Sequence, residues 1–479
     1  MAFTRIIHWL GNSCVICAVL MIIAAIASFM MLDIPSAMTL SALTTGIGVF
    51  GVILIATTHN TPAQETVADA MLFLLLFWIK MPFIMALPYL ALGVSPNFIS
   101  AYFEAVSAFT TTGASALDPD NIPQALLLWR SLVQWFGGVC VATFAIVVLA
   151  ALNLSGTGVH RSLLFTLDKD KLFTRLMSIG RIVLGIYALL VFICFAFLAL
   201  TGTDMFTALC LSLSGVSTGG LMPFSGSMSQ SVGRLSALIL ALFTVLGAMN
   251  IALLWDCIRL RRWQTYLSLF KNVESRGVFV LIGVIFMTGL VLIGPSQFFT
   301  ILIESMFFVS SAGFDYDVIG LEMLPSVILI ALALIGGSAL STAGGVKIIR
   351  LLLLFKHLST DLGRLTHPSR LIPVTFKGQH IPDRSFLSIW MYFFGYTLFF
   401  GLSILSLGAT GMAFEDAVVT GAASLSNMGP LLDYSLPESS LTYAGFNNVQ
   451  KIISAIIMLI GRVEVLAVLV IFAPSFWQR

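Results

Sequence analysis

Four short clusters of small polar residues, each built around a glycine, stand out as the places where this chain could do chemistry. They read TTTGAS (110–115), VSTGGL (216–221), SSAGFD (310–315) and SNMGP (426–430). Their central glycines, Gly113, Gly219, Gly313 and Gly429, are spaced by 106, 94 and 116 residues. Each cluster ends a short apolar stretch, and in the first and third a glutamate, Glu104 or Glu304, stands nine residues before the glycine. Glycine accepts dihedrals that turn successive carbonyl oxygens towards one axis. A ring of such carbonyls replaces the hydration shell of a bare monovalent cation. The neighbouring Thr111, Thr112, Ser217, Thr218, Ser311, Ala312, Asn427 and Met428 bring no charge, which disfavours metals that need carboxylate or imidazole cages. The pattern reads as a cation path, and the plainer alternative is a set of turns packed for shape alone.

The elements that must position these clusters are membrane helices. Of 479 residues, 58% are hydrophobic and 10% charged, and the mean hydropathy is +1.02, which excludes an ordinary soluble domain. Apolar runs long enough to cross a bilayer predict ten spans: 13–32, 37–56, 68–92, 128–152, 180–201, 234–258, 276–294, 323–355, 385–407 and 449–473. The first run is long and a second follows at once, so it reads as a span and not as a cleaved leader. The apolar stretches before the glycine clusters are too short to cross, so they are expected to enter the membrane and turn back. Irregular backbone at that depth survives only when buried in protein or lining water. Four such loops in register predict a repeat of span, half-helix, tip and span around one axis, with the C-terminal dipole ends of the half-helices aimed at the ion.

Basic residues cluster in three alternate connections, among them Arg161, Lys169, Lys171, Arg259, Arg261, Arg262, Lys271, Lys356, Arg364, Arg370 and Lys377. The positive-inside rule makes these connections and both termini cytoplasmic. The opposite connections hold Asp118, Asp120, Asp204, Asp315, Asp317, Glu322, Asp433 and Glu438, an acidic face that attracts cations.

Three further features lie inside spans. The run LIGGSALSTAGGVKIIR (334–350) breaks the eighth span with more glycine and hydroxyl residues than a kink needs; it reads as a non-helical segment lining a cavity, or as a close-packing kink. Arg462 lies near the middle of the last span, where a charge is costly and must face the pore or an ion-pair partner. Glu464, two residues on, points another way on the same helix. Lys80 is expected to pair with Asp69 or Glu104 or to snorkel, and Arg130 to brace the pore loops through Glu104.

Other motifs fail on context. GVSTG (215–219) matches a nucleophile elbow, yet the six histidines lie at termini and cytoplasmic connections. AGGVK lacks the spacing of a phosphate-binding loop, and no zinc-type cluster occurs. Cys14 and Cys17 form a CxxC without a partner pair. A non-enzyme is expected. A carrier coupled to sodium or protons remains the alternative to a pore; a carrier more often shows paired repeats and an ionisable residue at mid-membrane.

The four tips together resemble the Trk/Ktr/HKT superfamily of potassium transporters. Within it, two spans ahead of the first repeat, LLLWRSLVQWFGG after the first tip, GGSALSTAGGVKIIR and MLIGRVEVLAVLVIFAPSFW are similar to the TrkH family of bacterial subunits, over essentially the whole chain. The resemblance implies an all-α polytopic fold of about ten spans. Two N-terminal spans (1–60) would precede four pore repeats at 61–155, 156–262, 263–358 and 359–479. It implies a potassium-selective filter at the twelve tip residues named above, with potassium as substrate and no tightly bound cofactor. It implies that Gly336, Gly337, Ser341, Thr342, Gly344, Gly345 and Lys347 belong to an intramembrane gate loop in the third repeat, and that Arg462 restrains conduction from below. Family members usually carry glycine where Leu340 stands. The implied partners are a second copy, membrane lipid and a cytosolic TrkA-type ring through which alone a nucleotide acts, in the bacterial inner membrane. No nucleic acid is implied.

Overall fold

A computed structural model describes residues 3–58, 67–151, 172–260, 263–317, 320–366, 375–376, 379–380, 383–436 and 441–463. The connections carrying Arg161, Lys169, Lys171, Arg261, Arg262, Arg370 and Lys377, together with Glu438, Glu464 and the rest of the last span, lie outside the described residues. Among the described residues the fold is almost wholly helical, with one pair of two-residue strands, Thr375–Phe376 and Gln379–His380, beside the expected all-α architecture. Among the described residues seven helices are long and apolar enough to cross a membrane, and a bent pair taken as one span makes an eighth, so the chain is a multi-pass membrane protein.

Phe3–Met30 and Ile34–Thr57 form an antiparallel hairpin ahead of the repeats. Gly11 and Gly51 let these two backbones touch: a Cβ on either would lie about 2.9–3.0 Å from the other's carbonyl oxygen, the close approach that small residues permit between membrane helices. The repeats follow. Val67–Ala91, Leu172–Leu200, Val273–Leu292 and Asp383–Gly408 lead into half-helices Phe98–Phe109, Met205–Val216, Phe298–Val309 and Phe414–Leu425. Each half-helix has 12 residues. That gives about 18 Å, roughly half the hydrocarbon core. Asn97 caps the first through Ser100 N (2.8 Å), and Asp204 the second through Phe206 N (3.1 Å) and Thr207 N (3.2 Å).

The chain leaves each tip for a second span: Gln124–Ala151 in repeat 1, Arg234–Ala248 in repeat 2, Ser326–Ile335 in repeat 3 and Asn448–Val463 in repeat 4. In repeats 1, 2 and 4 this span passes the end of its half-helix at a glycine. A Cβ on Gly137 would lie 1.9 Å from Phe109 O, on Gly247 2.2 Å from Val216 O, and on Gly461 2.4 Å from Leu425 O. In repeat 3 the span leaves its helix at Gly336 and resumes as Ile348–Thr366.

The run 234–258, expected as one helix, is two. Arg234–Ala248 and Ile251–Leu260 meet at 99°. The free backbone groups at the break are taken up by the loop of repeat 3: Ser338 N donates to Ala248 O (3.3 Å), and Ile251 N donates to Leu340 O (3.0 Å). Such re-satisfaction is what makes a break tolerable inside a membrane.

Candidate functional site

The four half-helices end in the same left-handed turn. The first residue after each half-helix, Thr110, Ser217, Ser310 or Ser426, turns its hydroxyl back onto a carbonyl of the last helical turn at 2.7–2.9 Å. The next residue is left-handed in every repeat: Thr111 (φ 50°), Thr218 (53°), Ser311 (60°) and Asn427 (51°). A residue with a side chain costs about 1–2 kcal/mol in this region, so four copies mark strain that the surrounding packing holds. The turns are of the Schellman kind: Thr111 N, Thr218 N, Ser311 N and Asn427 N donate to Ala108 O, Gly215 O, Phe308 O and Ser424 O.

Two residues beyond each left-handed position stands a glycine, and this sets the register. The equivalent residues are Gly113, Gly220, Gly313 and Gly429. In the second tip this corrects the expected Gly219 by one position, because Val216, not Gly215, ends that half-helix. Gly219 aligns instead with Thr112, Ala312 and Met428. Gly219 O accepts from Gln134 Nε2 at 2.7 Å.

The tips meet in a closed ring. A Cβ on Gly113 would lie 2.5 Å from Gly219 O, one on Gly220 2.1 Å from Ala312 O, one on Gly313 2.9 Å from Pro430 Cβ, and one on Gly429 2.3 Å from Ala114 N. Repeat 1 thus touches repeat 2, repeat 2 touches 3, repeat 3 touches 4, and repeat 4 returns to 1. Gly429 N also donates to Thr112 O at 2.6 Å. Tyr443 Oη holds Gly429 O (2.9 Å) and Tyr434 Oη holds Phe314 O (2.7 Å).

In the first and third repeats a buried glutamate fastens the outward limb that follows the tip. Glu104 accepts from Ala116 N (2.5 Å), Leu117 N (3.1 Å) and Ser115 Oγ (3.0 Å). Glu304 accepts from Leu321 N (2.7 Å) and Asp317 N (3.2 Å). Arg130 reaches Glu104 through Ser115 Oγ (3.5 Å) and also donates to Met222 O (2.6 Å), joining the outer limbs of repeats 1 and 2. The brace expected of Arg130 through Glu104 runs by way of the Ser115 hydroxyl. Lys80 lies 5.9 Å from the centroid of the Phe50 ring, so its neighbour is an aromatic face and neither of the expected carboxylates. Outside the ring a vestibule of about 480 Å³ is lined by Gly113, Gly220, Gly313, Pro430, Asp315, Asp433 and Arg130, among others.

Directly beneath the ring lies the loop of repeat 3. Its two ends are joined by Val346 N to Leu334 O (2.9 Å), Lys347 N to Ile335 O (2.9 Å) and Ile348 N to Gly337 O (3.1 Å). Its apex touches three tips. Thr218 Oγ1 donates to Thr342 Oγ1 (2.9 Å), Gly344 N donates to Ser311 Oγ (3.2 Å), and a Cβ on Gly344 would lie 1.6 Å from Ser426 O. Arg462 supplies the fourth contact. It donates to Thr110 O and Thr111 Oγ1 of the first tip, each at 2.5 Å, and to Thr342 O of the loop at 2.5 Å. The ion-pair alternative gives way to a guanidinium bonded to carbonyl and hydroxyl oxygens. Lys347 Nζ donates to Ala343 O and Ser341 O within the loop. The cavity left between loop, Arg462 and Tyr392 is about 30 Å³, room for about two waters.

One anchor was not visible in the sequence. Glu274, buried near the start of Val273–Leu292, accepts from Ser338 Oγ, from Ala339 N (3.0 Å) and from Asn250 Nδ2 (3.5 Å). It ties the loop to the break in repeat 2. Leu340, where a glycine was expected from the resemblance, is wholly buried and gives its carbonyl to Ile251 N.

The fold and this site define a multi-pass membrane protein built from four re-entrant repeats around one axis. The sequence profile of the TrkH family, described as cation transport protein, matches residues 41–306 and 302–479. The chain belongs to the TrkH family. It is 32% identical over 433 residues to the Trk system potassium uptake protein TrkG of Escherichia coli K12, covering 88% of each chain. It is 30% identical over 443 residues to the Trk system potassium uptake protein TrkH of Halomonas elongata, covering 90% of each. The crystal structure of the potassium transporter TrkH from Vibrio parahaemolyticus superposes with a TM-score of 0.88 at 26% identity over 100% of both chains.

Proposed function

We propose that this chain is a potassium uptake protein. The four tips form its selectivity filter and the loop of repeat 3, with Arg462, closes the path from below. The single observation that carries this reading is the ring itself: four left-handed turns in register, closed by contacts between neighbouring repeats, at the end of four half-helices. The half-helices aim their negative ends at the ring, and the uncharged tips suit a bare monovalent cation better than a divalent metal. Relatives covering nearly nine-tenths of the chain carry the name of potassium uptake proteins, which supports potassium as the ion.

The filter on this reading comprises Thr111, Thr112, Gly113, Thr218, Gly219, Gly220, Ser311, Ala312, Gly313, Asn427, Met428 and Gly429, with Ser217 as a cap. The gate comprises Gly336, Gly337, Ser341, Thr342, Gly344, Gly345 and Lys347, with Arg462. Potassium is substrate, and the chain itself holds no nucleotide. Opening belongs to a cytosolic, nucleotide-binding partner of the TrkA type acting on a homodimer in the inner membrane, with both termini cytoplasmic; the basic connections support that orientation.

Rubidium uptake into sealed liposomes containing the purified chain tests the reading. The expected result is uptake driven by an imposed potential, competed by potassium and not by sodium, and enhanced when the cytosolic partner is added. Uptake that needs a sodium or proton gradient, or that sodium competes as well as potassium does, would contradict it.

A further inference from the structure

The outer mouth of the ring is not four-fold. Gly113, Gly220 and Gly313, like Gly429, carry no side chain, and the ring of Pro430, the residue after Gly429, lies where the side chains of the other three would meet. A Cβ on Gly113 would lie 3.3 Å from Cδ of Pro430, one on Gly220 3.5 Å from its Cγ, and one on Gly313 2.9 Å from its Cβ. A single pyrrolidine comes within contact range of three tips only from near the axis they share.

Pro430 is held there. Its own ring fixes φ, observed at −60°, and it opens the short helix Leu431–Ser435. The preceding Gly429 is pinned on both sides, its N–H on Thr112 O and its carbonyl under Tyr443 Oη. Pro430 also lines the vestibule beside Asp315 and Asp433, so one face borders the vestibule and the other meets the tips.

We propose that Pro430 is a specificity-determining residue standing in the permeation path at the outer mouth of the filter. The proposal rests on the reading of the tips as a cation filter and adds a role for the residue after the fourth tip's glycine, where the other tips carry Ala114, Leu221 and Phe314. Methylene groups offer no oxygen to a cation. An ion passing the ring therefore sheds water on that side before the carbonyls of the other three tips replace it. An ion that holds its water more tightly, as sodium does, is penalised more. The mouth selects by a dry wall on one side and carbonyls on the others.

Two variants in liposomes test this, with the wild-type chain alongside. The six native cysteines are buried, so Pro430→Cys presents a thiol at the mouth. A cationic, membrane-impermeant methanethiosulfonate added outside is expected to cut rubidium uptake of Pro430→Cys at least about tenfold while leaving the wild type unaffected, and external potassium should slow the modification. Pro430→Ala, which can keep the same φ, is expected to strengthen sodium competition against rubidium uptake about threefold or more. Complete modification of Pro430→Cys, verified by mass, with uptake intact would overturn the proposal. So would Pro430→Ala with wild-type sodium competition, a readout that remains if the cysteine variant fails to fold. Wild-type vesicles without potassium-competed uptake would remove the filter reading and this proposal together.

Discussion

The ring of tips and the loop beneath it are made of the same residues, glycine, serine and threonine, yet they are held in different ways. The ring repeats one turn four times and closes on itself through close contacts from each repeat to the next, three of them to backbone atoms and one to the Pro430 ring. The loop occurs once. It is secured from outside by side chains on other elements: Glu274 and Arg462, the hydroxyls of Thr218 and Ser311, and the broken backbone at Ala248 and Ile251. On the proposed reading, selection falls to the ring and closure to the loop, two structures in direct contact that are held by different bonds.

Variants in the ring should change discrimination, and variants at the loop's anchors should change flux. The largest change in discrimination is expected from Gly113→Ser. Its Cβ would sit 2.5 Å from Gly219 O on a backbone at φ 83°, forcing tips 1 and 2 apart. Loss of about 2 kcal/mol of discrimination corresponds to roughly thirtyfold, read as sodium competition against rubidium uptake. Unchanged competition in folded protein would move the filter elsewhere.

At the loop, Glu274→Gln removes the charge that strengthens the bonds to Ser338, Ala339 and Asn250. Hydrogen bonds to charged groups contribute about 1.5–3 kcal/mol, so basal uptake should rise about tenfold, with sodium competition as in the wild type. A rise in flux accompanied by lost discrimination would erase the division between ring and loop.

The smallest effect concerns the vestibule. Burial first, and then the carboxylates of Glu322, Asp433 and Asp317, push the Asp315 carboxyl up to about 7. As external pH falls through that value Asp315 gains a proton and the vestibule loses a negative charge. Uptake at low rubidium should therefore fall about two- to threefold between pH 8 and pH 6, and Asp315→Asn should weaken that dependence, leaving the part due to Asp433, which burial pushes up to about 6. Maximal uptake at saturating rubidium should change less, because the charge gathers ions and does not select them.

Much of the ring was legible in the sequence because its signals are local. An apolar stretch too short to cross, ended by hydroxyls and a glycine, has few other uses in a membrane protein, and four of them imply an axis. The register of the second tip was not legible: Gly219 and Gly220 are adjacent, and only the helix end at Val216 decides between them. The hydroxyls of Thr110, Ser310 and Ser426 followed the same pattern but looked like part of a polar run until the turn geometry gave each a carbonyl. The loop was legible as a break, because its glycines and hydroxyls exceed what a kink needs. Its anchors were not, because they depend on contacts distant in sequence. The break at Met249–Asn250 lies in a run that is apolar on both sides, and a single asparagine does not announce a 99° turn. Glu274 sits near the end of a span, two residues from Arg276, where a charge reads as ordinary membrane-flanking solvation. Arg462 was conspicuous as a mid-span charge, but its partners are carbonyl and hydroxyl oxygens, which have no sequence signature.

Arg462 bonds both structures, the first tip through Thr110 and Thr111 and the loop through Thr342. The most direct test is therefore rubidium uptake by Arg462→Ala in liposomes with no partner protein present. Losing the guanidinium should free the space beneath the ring and raise potential-driven uptake at least about tenfold over the wild type, with potassium still the effective competitor. Folded Arg462→Ala protein whose uptake is no greater than wild type would contradict the account, because the loop and Arg462 would then not be what closes the path.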